Sequence, residues 1–326
     1  AQPEADCMTS TPALNTLTGH NGLIAIDKIG NKVLFLDPVT YRPLRALEGF
    51  TPRVHELAIS PDRRMAYVPI YGDGKHGDNP HPGHELAVID LHTRSHARTL
   101  SVAPFKAPHC LRWGPQGQLY CLCENSGVVL EMDAESGRIL HAIETGSSNA
   151  HRMELLPDGS KLYTENEEDA FVSVIDLRAR RRIKDIDVQG PLDGIGLSPD
   201  GRTLVLVSDA SAQLFIVDTD TDRVTRTIDL QGFRKPAQIA RFSPDGRYLV
   251  VTSHEEPLAA VLPASLEAQQ VVRLQKGPMD MAFHEDGHTV LIANHDAGSI
   301  SVVDLASAQV VRTLACGKGV ETLSFY

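Results

Sequence analysis

Apolar and polar residues alternate with a period of two along almost the whole chain. The runs are short and stop at turn residues, so they predict many short β-strands. One kind of turn recurs: SPDRR at 60, GPQGQ at 114, LPDGS at 156, SPDGR at 198, SPDGR at 243 and HEDGH at 284. Proline fixes φ at the second position, and the Asp and Gly that follow suit a tight reversal, so each motif predicts a hairpin. The last apolar residue before each turn sets a register: Ile59, Trp113, Leu155, Leu197, Phe242 and Phe283, with Phe325 as a seventh. The intervals are 54, 42, 42, 45, 41 and 42 residues.

A second register agrees with the first. Short apolar strands end in an acid at Asp37, Asp90, Asp133, Asp176, Asp218 and Asp304, and the copy AAVLP ends in Pro263 instead. These aspartates are expected to cap the turn after the strand. A unit of about 42 residues with four short strands is one propeller blade. Seven innermost strands are present, but the chain opens on the other three strands of a blade (GLIAIDK, KVLFLD, RPLRALE) and closes on a lone innermost strand, GVETLSFY. The C-terminal strand should therefore complete the first blade and leave no free edge. The expectation is an all-β, seven-bladed β-propeller of four-stranded blades in one domain, 1–326. It has an N-terminal tail, 1–20, and an inserted His-rich loop in the second blade, 71–85.

The SPDG turns, the VIDL and VVDL strands and the period resemble the YVTN-type, lactonase-like seven-bladed β-propellers. The resemblance spans nearly the whole chain. It implies the fold, and it implies enzymes, cofactor binders and plain binding proteins alike, so function has to come from the site. The catalytic positions of the lactonase and cycloisomerase relatives find no residue-by-residue match here.

Composition narrows the partners. Of 326 residues, 42% are hydrophobic and 22% charged, as in a foldable globular chain. A net charge of −11 argues against nucleic acid or an anionic membrane surface, which favour a basic face. No apolar run reaches the length of a membrane span, so no membrane insertion is expected. The partners expected are a small-molecule substrate or a metal ion, and the chain is expected to be a monomer. The start AQPEA resembles an N-terminus left by signal cleavage, and with exported YVTN-type relatives this points to a periplasmic or secreted protein. Cys110 is expected opposite Cys121 across the hairpin that turns at 114–117, close enough for a disulfide, and Cys7 and Cys316 are both placed near the closing seam; five buried thiols are the alternative.

The chemical signal lies at the start of the innermost strands. Four residues before each register position stand His55, His109, His151, Asp193, Gln238, Met279 and Glu321. Those positions face the mouth of the central channel. Three consecutive histidines flanked by Glu321 and Asp193 form the donor set of a divalent transition metal: zinc, copper, iron or manganese. Eight residues after each turn glycine stand Asn125, Glu167, Asp209, His254 and His295 on the same rim. His254 and His295, with Asp193 and Glu321, are candidates for general acid–base work. The insertion carries His76, His81 and His84, and reads as a lid or a metal-capturing arm. Lys106, Arg234, Lys235 and Lys318 approach the same face, either as solvated charges or as attractors of an anion. Gly-rich phosphate loops, a GxSxG elbow and a CxxCH haem motif are absent. Two function classes remain open. One is a metal-dependent hydrolase, lactonase or lyase. The other is an exported non-catalytic propeller that carries metal or serves adhesion.

Overall fold

The computed structural model describes residues 20–326. It holds 28 strands, β1 to β28, in seven antiparallel four-stranded sheets, and the closing strand of the first blade is the last of the chain. β28 (Val320–Phe325) pairs with β1 (Leu23–Asp27) in the register Leu23↔Phe325 and Ala25↔Leu323. The remaining blades follow chain order, from the one that runs from β4 (Ala58–Ile59) to β7 (Ser95–Ser101) to the one that runs from β24 (Pro278–Phe283) to β27 (Gln309–Ala315). Cys7 and most of the expected tail fall outside the described residues, so a bridge from Cys7 is not part of this description.

Burial explains the ring. The middle strands are apolar on both faces, as in LVLVS of β17 (Thr203–Ser208), where five of six residues are buried. Both faces can be dry only if each blade packs against two neighbours. Seven hydrophobic clusters do this, and each joins two adjacent blades, including the last with the first (Val302 and Ile300 with Leu23 and Ala25). The outer strands, such as β15 (Arg181–Asp187), are polar and exposed. The strand-end aspartates cap as expected: Asp37 Oδ1 accepts from the amides of Val39 and Thr40, and Asp90 Oδ1 from those of His92 and Thr93.

Two expectations are corrected. Cys110 pairs with Leu122, and Cys121 with Leu111. The turn is one residue longer than expected because Gly117, at φ +83°, lets Gly114 pair with Gln118. Cys110 and Cys121 consequently pack into different inter-blade clusters, and Cys110, Cys121, Cys123 and Cys316 are all free and buried. The insertion is also less loop-like than expected. It lengthens the middle hairpin of the second blade, β5 (Met65–Gly72) and β6 (Pro82–Asp90), with Gly72 opposite Pro82. Only the tip projects as an arm.

Candidate metal centre at the channel mouth

The second residue of three consecutive inner strands, β8 (Pro108–Trp113), β12 (Ala150–Leu155) and β16 (Leu192–Leu197), sits at a register irregularity. His109 lies between paired Pro108 and Cys110, His151 between Ala150 and Arg152, and Asp193 between Leu192 and Gly194. A bulge adds an unpaired residue and re-aims its side chain. Here it turns each residue towards the channel. His55 reaches the same place just before the short strand β4 (Ala58–Ile59), with its amide on Pro69 O.

The three histidines form a row. The ring centroids of His55 and His109 are 4.3 Å apart, and those of His109 and His151 are 4.5 Å apart. His55 Nε2 stands 2.6 Å from His109 Nε2. Each ring has carboxylate at Nδ1: Glu321 Oε2 at 3.0 Å from His55, Glu56 Oε1 at 3.5 Å from His109, and Glu167 Oε1 and Glu165 Oε1 at 3.2 and 3.5 Å from His151. The one that makes a hydrogen bond, Glu321 to His55, fixes that ring's orientation and raises donor strength at its other nitrogen. Glu321 thus backs His55 instead of standing free as a ligand. Asp193 lies with Glu167 and His151, and their donor atoms are all within 4.8 Å of one another. His55, Glu56 and His109 form another such group. The row expected around one point is therefore two adjoining groups in this structure.

Electrostatics at the row are uneven. Burial, reinforced by neighbouring cationic groups, pushes His109 and His151 well below the usual imidazole range, so both are neutral at pH 7. Burial pushes the carboxyls of Glu165 and Asp193 well up, and lifts Glu167 and Glu56. Glu321 goes the other way: burial opposes its charge, but His55 and Lys28 outweigh that and hold it low. Both oxygens of Glu165 and Nδ1 of His109 are buried without a hydrogen-bond partner among the described residues. Buried polar groups left unpaired are costly. The neutral imidazoles and the carboxyl groups that converge with them, Glu56 on His55 and His109 and Glu167 and Asp193 on His151, fit a metal.

Sequence reasoning missed part of the site. Tyr71 donates from its hydroxyl to Glu124 Oε1 at 3.1 Å, and Arg152 donates to Asp193 O at 2.6 Å while packing 3.8 Å from Glu56. Glu124 opens the 3-10 turn Glu124–Ser126 and is fully buried. These follow from contacts between blades, which no spacing along one strand reveals. Glu167 was legible as a rim acid. The arm's histidines separate: His76 reaches into the row, its ring 4.7 Å from His151, whereas His81 pairs with Asp73 on the surface and His84 binds Phe105 O. They form no site of their own, because the lengthened hairpin gives each a different anchor.

A cavity of about 810 Å³ opens over the row. His254 and His295 line it, and both contact Asp296 Oδ1, at 3.3 and 3.0 Å. Its Lys and Arg groups are Lys28, Arg53, Lys75 and Arg152, against seven carboxylates. Lys106, Arg234, Lys235 and Lys318 do not line it. Arg234 and Lys235 are turned by their amides onto Glu256.

No family model matches the chain, and no curated protein matches it. Among solved structures it is similar to a chain of hydrazine synthase from Kuenenia stuttgartiensis. The two share 17% identity at a TM-score of 0.71, over 85% of this chain and 91% of that one. The likeness is one of fold. The seven-bladed propeller is thereby shared with a known protein, and the chemistry of this channel mouth rests on its own residues.

Proposed function

We propose that the protein is an exported, metal-dependent propeller enzyme of the YVTN-like kind, acting on a small molecule at the channel mouth. The observation that carries the reading is the row of three buried imidazoles, His55, His109 and His151, with a carboxyl oxygen within 3.0 to 3.5 Å of each Nδ1. His55, His109 and His151 are the proposed metal ligands, with Asp193 beside them and Glu321 orienting His55. Two imidazoles on a tetrahedral ion at ~2.05 Å stand roughly 3.3 Å apart. The His55–His109 pair at 2.6 Å has to open slightly to admit an ion.

A bound ion would polarise a carbonyl or lower the pKa of water, as hydrolysis, lactone opening or elimination require. Asp193 and Glu167, whose carboxyls burial pushes up, are the groups to exchange a proton with a substrate above the row. His254 and His295, fixed by Asp296, are the proton relay at the cavity wall. The carboxylate excess disfavours a polyanion and favours a neutral or cationic substrate.

The test is metal analysis of the purified protein and of His109→Ala, followed by assay of both on neutral lactones and esters. Bound transition metal in the wild type, lost with turnover in the variant, supports the reading. Equal metal content in the two proteins removes it.

A further inference from the structure

The row of histidines does not end at His151. The inserted arm adds His76, and the third blade adds Glu124 from behind. The donor atoms of His76, Glu124 and His151 all lie within 4.8 Å of one another, as do those of His55, Glu56 and His109. Each set is two imidazoles and one glutamate. The two sets touch through His109 and His151, whose ring centroids are 4.5 Å apart.

We propose that the channel mouth holds two cations side by side, the second bound by His76, Glu124 and His151, with the inserted arm existing to deliver His76. This rests on the reading that the mouth binds metal, and it reassigns His151 to the second ion. Two imidazoles and a glutamate are the protein ligands of many single catalytic zinc ions. Adjacent ions a few ångström apart are the arrangement of two-metal hydrolytic centres.

Three observations set this second group apart from an ordinary ion pair. Glu124 is fully buried, and its Oε2 has no hydrogen-bond partner among the described residues. Its Oε1 is already held by Tyr71, which orients the carboxylate as an outer-shell donor does. His76 Nδ1 stands 2.6 Å from Glu124 Oε1, yet lacks hydrogen-bond alignment. His76 Nδ1 and Glu124 Oε2 are thus each left without a hydrogen-bond partner among the described residues, and an ion held by both side chains would satisfy them. The other ring nitrogen, Nε2, faces Glu168 at 2.7 Å and Glu167 at 3.5 Å. That repeats on the arm the imidazole-plus-carboxylate pattern of the row.

The arm itself argues for a dedicated role. It lengthens one hairpin of seven, and its tip is tied by Asn79 to Tyr71 O. From there His76 spans from the second blade to carboxylates of the third and fourth. His81, on the same arm, is 78% exposed on its side chain and reaches none of them.

The test is titration of chelator-stripped full-length protein with Co²⁺, read by calorimetry and by metal content after desalting. Two equivalents are expected for the wild type and for His81→Ala. One equivalent is expected for His76→Ala and for Glu124→Gln, and the one that remains is lost on adding His55→Ala. Tyr71→Phe should keep two equivalents but weaken one about 10-fold. Glu124→Gln guards against misfolding of the arm variant, since it leaves His76 in place. One equivalent in the wild type, or two in His76→Ala, overturns the second site and leaves a single-ion enzyme standing. No binding by the wild type overturns both.

Discussion

Glu321 and His55 lie 266 positions apart in the chain and 3.0 Å apart in space. The contact exists because β28 completes the first blade, so closing the ring also assembles part of the candidate metal centre. Glu321→Gln keeps the shape but removes the charge behind His55 Nδ1. Outer-shell carboxylates of this kind contribute roughly 10–100-fold in metal affinity. We expect a loss of that size, by calorimetry, without loss of fold by circular dichroism. Unchanged affinity would show that His55 needs no carboxylate partner.

The buried acids and imidazoles give opposite pH dependences in metal-free protein. His109 and His151 are depressed in the folded state, so below about pH 6.5 the unfolded chain binds protons that the folded one refuses. Stability falls there, by up to about 1.4 kcal/mol per pH unit for each group. Glu165 is raised in the folded state, so it costs stability increasingly as pH rises from about 4.5 towards neutrality. Glu165→Gln should therefore stabilise the metal-free protein by about 1–3 kcal/mol at pH 7.5, with the gain shrinking towards pH 5. His109→Gln should show the reverse trend, gaining on the wild type as pH falls. Urea midpoints across that range decide it, and a pH-independent difference for either variant would contradict the assignment.

Much of this was readable before any coordinates. The SPDG-like turns and the strand-end aspartates are local signals, each repeated six times at one period, and with the missing first strand they specify the ring. The row His55, His109, His151 was readable too, since equivalent positions of equivalent strands face one channel. What was not readable depends on contacts across blades or on a single residue of turn geometry. A four-residue turn would put Cys110 opposite Cys121, and Gly117 makes the turn five. Glu124, Tyr71 and Arg152 enter the site from neighbouring blades at positions with no periodic signature. Of the three arm histidines, only the fold of the hairpin tip distinguishes His76 from His81 and His84.

The thiols offer an inexpensive check on the corrected register. Burial pushes the Cys110 thiol up to about 11 and that of Cys316 up to about 12, and Cys121 is raised as well by its neighbour Cys123 and by burial. Thiolates are the reactive form, so these groups should be inert in the folded protein. A chromogenic disulfide reagent should label Cys110, Cys121, Cys123 and Cys316 only after denaturation, and prior reduction should leave their yield unchanged. Labelling that rises on reduction at Cys110 or Cys121 would restore the cross-strand bridge.

The far end of the channel carries a different burden from the mouth. A smaller cavity of about 350 Å³ there is lined by Arg112, Glu154, Arg241 and Asp280. Arg241 Nη2 sits 2.9 Å from Asp280 Oδ2, and its Nη1 reaches Glu154 at 3.5 Å. Burial alone would raise the Asp280 carboxyl, but Arg241 outweighs it and holds the group below its ordinary value. Removing one partner of such a pair leaves an uncompensated buried charge, at about 3–5 kcal/mol, whereas replacing both by apolar residues is often nearly neutral. Arg241→Met should therefore destabilise the fold by that amount in urea. Arg241→Met with Asp280→Leu should recover most of it. Neither change touches the imidazole row, so both proteins should retain the full complement of Co²⁺. A single variant as stable as the double would mean that solvent already screens Asp280, and loss of metal in either would tie this network to the mouth.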